Sequence, residues 1–80
     1  MKPPEGCIVL KQFNSADGLH MLVIFQRPDG YFGFAGEKFT EKDGYTFWKP
    51  SEISGIYETA LAAERAALAD VAWLHNDVSN

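Results

Sequence analysis

Thr59–Leu74, TALAAERAALADVAWL, is the stretch whose reading decides the fold. Alanine and leucine dominate it and nothing inside it breaks a helix. Thr59 stands where a hydroxyl oxygen accepts the first free backbone N–H groups as N-cap. The stretch predicts a helix over 59–74, and everything before it is read as what that helix packs on. Turned at about 100° per residue, Leu61, Leu68, Val71 and Leu74 share one arc, which Tyr57 extends. Glu64 falls inside the same arc. The other side carries Ala62, Ala66, Ala69 and Trp73, with Arg65 and Asp70 at its flanks. A helix that is apolar most of the way round predicts cover on two sides, by its own sheet and by a partner.

Outward from the helix, Tyr45–Lys49 (YTFWK) reads as a strand that Pro50 ends, and Ser51–Glu58 crosses to the helix. Asp43-Gly44 marks a tight turn before it. Tyr31–Thr40 (YFGFAGEKFT) is a strand whose Gly33 and Gly36 allow close approach of a backbone or ring. Pro28-Asp29-Gly30 is a turn signal, because proline presets the first φ and glycine accepts the left-handed closing position. Leu19–Arg27 (LHMLVIFQR) is apolar on both faces, as a central strand covered on two sides is. Asn14–Gly18 supplies another turn, and Cys7–Phe13 (CIVLKQF) a first strand. Residues 1–6, with two prolines, form a loose lead-in, while His75-Asn76-Asp77 stops the helix and residues 75–80 fray. Strands joined by short turns pair as neighbours. The predicted fold class is therefore α+β, one domain over 1–80: a four-stranded antiparallel meander over 7–49 with one C-terminal helix across it. One helix is about 10 Å wide against about 4.8 Å per strand, so sheet surface is left uncovered.

At 80 residues, folding hides only about 60–65% of the unfolded chain's surface, and association stabilises so small a core. A hydrophobic content of 46% with 14% aromatic excludes a disordered chain. A net charge of -4, with lysines and arginines scattered along the sequence, opposes attraction to phosphate backbones or anionic lipid. The single cysteine, Cys7, makes no internal disulfide, and MKPPEG lacks the apolar core of a signal peptide, which together point to the cytoplasm. No apolar run approaches the about 20 residues that span a bilayer. Cys7, His20 and His75 lack zinc-ligand spacing, and no glycine-rich phosphate loop precedes a helix, so no metal and no cofactor are expected. A Cys7–His20 nucleophile pair lacks any orienting third group, and a strand cysteine acts more often as a small buried hydrophobe.

Glu64 is the candidate for chemistry, because an ionised carboxylate on an apolar helix face costs several kcal/mol unless paired. Arg27, Lys11, Lys49 or a tyrosine hydroxyl would satisfy it. Alternatively Glu64, Tyr57 and Trp48 line a small-molecule pocket at the sheet–helix junction, with Glu64 as acid or base. Trp73 among Ala62, Ala66 and Ala69 reads as an interface anchor.

Trp48-Lys49-Pro50, Ser54-Gly55-Ile56-Tyr57, Thr59 and Ala63-Glu64 together resemble small uncharacterised bacterial proteins, including those carried on mobile (integron-type) gene cassettes. The likeness covers the C-terminal half. It implies a compact, self-associating chain and supplies no catalytic residue. Tyr31–Gly36 (YFGFAG) also resembles the aromatic strand of RNA-recognition and cold-shock domains, although no basic residue precedes it and Glu37 takes the place of the last aromatic.

The reading that results is a small non-catalytic binding or regulatory module that forms a homodimer or higher oligomer. A pocket around Trp48, Tyr57 and Glu64 is the first alternative. Single-stranded nucleic-acid binding through Phe32 and Phe34 is the second.

Overall fold

In a computed structural model that describes residues 5–79, four strands form one antiparallel sheet in the order β1-β2-β3-β4. They are β1 (Ile8–Asn14), β2 (His20–Gln26), β3 (Phe32–Lys42) and β4 (Tyr45–Tyr57). Two helices follow, α1 (Ala60–Asp70) and α2 (Ala72–Ser79). The α+β meander expected from the turn signals is what folds. Of the lead-in expected over 1–6, residues 1–4 lie outside the described residues, as does Asn80 at the other end.

Each turn is closed by the residues that signalled it. The Ser15 hydroxyl donates to Asp17 Oδ1 at 2.5 Å and accepts from the His20 N–H at 2.9 Å. At the second turn the Gly30 N–H donates to the Arg27 carbonyl at 3.0 Å, and Asp29 accepts from the Tyr31 N–H at 3.0 Å. Asp43 and Gly44 both take positive φ, 53° and 80°, the pair of left-handed positions that a two-residue hairpin of matching twist requires.

The fourth strand departs from expectation by continuing through Pro50 to Tyr57. It is an edge strand, with N–H groups that have no sheet partner, and its register slips opposite Gly36/Glu37, so the missing proline donor costs little there. A second slip lies opposite Phe32/Phe34, where Gly33 and Gly55 meet. A Cβ on Gly33 would stand 2.7 Å from the Ser54 carbonyl oxygen and 3.0 Å from the Phe25 ring, so this close crossing admits only glycine.

The C-terminal helix is divided. Thr59 is its N-cap, accepting from the Ala62 N–H at 3.0 Å as expected, but Val71 is extended (φ -101°, ψ 103°) and separates α1 from α2. The β-branched valine closes α1 with its N–H on the Ala67 carbonyl, at 2.9 Å, and opens α2 with its carbonyl accepting from the His75 N–H at 3.1 Å. Helix therefore runs past His75 to Ser79 where a fraying tail was expected.

The main core joins Leu22, Ile24 and Phe34 of the sheet to Ala63, Ala67, Val71 and Leu74. Bulky side chains on the sheet oppose small ones on α1, which lets the helix settle close. That packing turns α1 away from the expected arc: Leu61, assigned to the sheet, is 54% exposed, while Ala63 and Ala67 are fully buried. Leu22→Ala should cost about 2–5 kcal/mol in urea unfolding through transfer loss and a residual cavity. Leu61→Ala should cost a small fraction of that.

Candidate functional site

Two concavities flank the sheet. On the helix side, Leu10 and Lys11 of β1, Ile24 of β2 and Ala60, Leu61 and Glu64 of α1 line a groove of about 270 Å³. Glu64 Oε1 accepts from Lys11 Nζ at 2.6 Å, and the same ammonium lies 5.0 Å from the centre of the Phe13 ring. The partner of Glu64 is thus one of the basic residues named from the sequence. Glu64 sits at the rim of the apolar stripe, its side chain 23% and that of Lys11 56% exposed, so solvent screens the pair.

The other two residues of the expected pocket lie elsewhere. Trp48 and Tyr57 are nine positions apart on the same strand, a span of about 30 Å at about 3.3 Å per residue. Tyr57 belongs to the core, with its ring 6.2 Å from that of Phe34 and its hydroxyl 3.0 Å from Ser54 Oγ. Trp48 stands edge-on to Phe39 at 5.4 Å, far out on the β3–β4 hairpin. Glu64, Tyr57 and Trp48 are therefore not brought together.

Trp73 packs inward, against the main core, with its ring stacked on His20 at 5.5 Å and 20°. Its indole N–H is buried without a hydrogen-bond partner. The expected position on the outer face assumed an unbroken helix, and the break at Val71 is what redirects it. Ala62 and Ala66 are half-buried and Ala69 is exposed, so the alanine side keeps its outward position without its tryptophan. Phe34 is buried, so its ring has no free face for a base, while Phe32 is half-buried and packs against the core beside it.

The second concavity was not anticipated. It lies on the sheet face away from the helices, holds about 390 Å³, and is lined by Cys7, Phe25, Arg27, Pro28, Ile53 and Gly55 among others. Phe25 forms a small second cluster there with Val23 and Ala35, against which Cys7 packs. The signal for it was the two-sided hydrophobicity of Met21–Phe25, but its walls come from the long fourth strand, which the reading of Pro50 as a stop had concealed. Arg27 on its rim is paired with Asp29 at 3.0 Å. Cys7 adjoins Ile8, which pairs with Gln26 at the opposite end of β2 from His20. That separation is about 20 Å and leaves the thiol without an imidazole.

Among the described residues no group of three or more His, Cys, Asp or Glu is placed to hold a metal ion. No described helix is long and apolar enough to cross a membrane. The chain matches no family model, and no curated protein or solved structure is detectably similar to it.

Two electrostatic tests follow from these contacts. Glu64→Gln should cost less than about 1 kcal/mol, with the loss shrinking in high salt, as for an exposed ion pair. In the first turn, the Ser15 hydroxyl and then the Leu19 N–H hold the Asp17 carboxyl below its ordinary 3.8. A lowered folded-state pKa gives stability that is present above the unfolded value and lost as pH falls through the folded one. Acid titration of unfolding should therefore show a contribution lost progressively below pH 3.8 that Asp17→Asn abolishes.

Proposed function

We propose that the protein is a small non-catalytic binding module that self-associates through the sheet face its helices leave open. The observation that carries this reading is one-sided cover. The Cα envelope measures 40 × 32 × 15 Å. Its thin dimension accommodates one sheet and one helix layer, about 10 Å apart, and no third layer. On the open face Val9, Phe39, Trp48 and Ile53 are exposed around the buried Val23, Phe25 and Ala35.

The edges are poor alternatives for assembly. Strand β1 carries Lys11 and a register slip after Val9, while β4 carries Pro50 and two slips, devices that blunt edge pairing. With Trp73 turned inward, the helix side also lacks its anchor. The broad outline offers room for the about 800 Å² per partner that a stable interface buries, and a second copy supplies an equally apolar face. Small-molecule binding is the second reading, favoured by the 390 Å³ concavity on that same face, within the usual ligand-site range of about 300–1,000 Å³.

Sedimentation equilibrium at micromolar concentration should give at least twice the 8.9 kDa chain mass. Ile53→Asp should return it to the monomer and Leu61→Asp should not. A monomeric wild type would refute the self-association.

A further inference from the structure

Beyond Lys38, which pairs with His20, β3 has no strand-pairing partner but β4, so the hairpin runs on as a two-stranded ribbon. Directly opposed residues of an antiparallel pair share a face, and faces alternate along each strand. The register sorts the ribbon's charges accordingly. Lys38 opposite Lys49, Thr40 opposite Phe47 and Lys42 opposite Tyr45 stand on the helix side. Phe39 opposite Trp48 and Glu41 opposite Thr46 stand on the other. Three of the chain's seven basic residues, dispersed in the sequence, are thereby collected on one narrow face.

Two features of that face suit an anionic ligand with flat apolar groups. Lys38 and Lys49 are like charges placed directly across from each other, an arrangement that weakens a strand pair. The ion pairs among the described residues join Lys11 to Glu64 and Arg27 to Asp29, so no carboxylate stands within 4.0 Å of either ammonium. Glu52, the next acid along this face, has its carboxylate on the Ser51 hydroxyl at 2.5 Å. The second feature is a pair of rings left in solvent between and beside the lysines, Phe47 at 41% and Tyr45 at 76% exposure. Rows repeat about every 7 Å along the ribbon: two lysines, then a threonine and a ring, then a lysine and a ring.

We propose that this face of the β3–β4 ribbon binds single-stranded nucleic acid. Phosphates sit between Lys38 and Lys49 and at Lys42, and unstacked bases lie on Phe47 and Tyr45. Stacking on an exposed ring requires bases free of a duplex, which selects single strands. The face is distinct from the open sheet face assigned to self-association, so the two assignments stand or fall separately. Counterion release at the three lysines strengthens binding as salt falls, which makes low salt the condition for measurement, and the chain's net charge of -4 keeps the affinity modest throughout.

The test is fluorescence anisotropy of a fluorescein-labelled, mixed-sequence single-stranded DNA oligonucleotide titrated with the full chain at low salt. The logarithm of the binding constant should fall with that of salt at a slope of magnitude about 1.4, from about 0.7 for each of the two phosphate contacts. Lys38→Gln/Lys49→Gln should weaken binding and flatten the slope to about 0.7 while raising or preserving the thermal midpoint, since it removes a repulsion. That opposite movement of binding and stability is one a merely structural role does not produce. Tyr45→Ala/Phe47→Ala should weaken binding with the slope retained. Absence of binding at low salt overturns the proposal, as does binding that both double variants leave unchanged. Equal affinity for the matching duplex overturns the single-strand assignment. Lysine-dependent sedimentation with phosphatidylserine vesicles, without oligonucleotide binding, overturns it in favour of a lipid surface.

Discussion

The close seating of Ala63 and Ala67 on Leu22, Ile24 and Phe34 is the contact on which the rest of the molecule depends. Because the helix contributes small side chains and the sheet large ones, the helix lies low over the middle of the sheet and cannot reach its full width. Strand β1 consequently stays exposed on nearly all its residues. The same seating carries Leu61 out to solvent and places Glu64 at the rim, where Lys11 reaches it. What looked on the wheel like a buried charge is a boundary charge, and the difference is a modest rotation of one helix.

From that seating follows the asymmetry of the two sheet faces. One is sealed by α1 and α2 into the main core. The other keeps only a small cluster around Phe25, with apolar side chains left open at its margin. A domain of this size leaves a larger share of its surface uncovered than a large one does, and on this face part of that surface is apolar. The long β3–β4 hairpin adds a second consequence. Reaching beyond β2, it presents two faces of opposite character, an aromatic pair with Glu41 on one and three lysines with two rings on the other.

Much of this was legible in the residues. The turn sequences located all three hairpins, because Asp-Gly and Pro-Asp-Gly encode their geometry within a few residues. The Thr59 cap was equally local. Pro50 misled because a proline's cost depends on whether its strand is central or at an edge, which no neighbouring residue reveals. Val71 misled for a related reason: a single β-branched residue is tolerated inside many helices, and here burial of Trp73 and Leu74 favours the break. The expected pocket of Glu64, Tyr57 and Trp48 failed with the strand boundary, since a strand extended through Pro50 holds its two aromatics far apart.

By itself the sequence determined the α+β class, the strand order, the turns and the existence of an apolar C-terminal helix, all of which follow from local propensity and short-range pairing. Only the tertiary structure decided which helix face meets the sheet, where Trp73 and Glu64 stand, and which charges become neighbours. Register does this: a lysine at 38 and one at 49 are distant along the chain and opposed across the hairpin. The helix that began as the defining stretch accounts for the closed face alone, and the open face and the ribbon are products of how far it fails to reach.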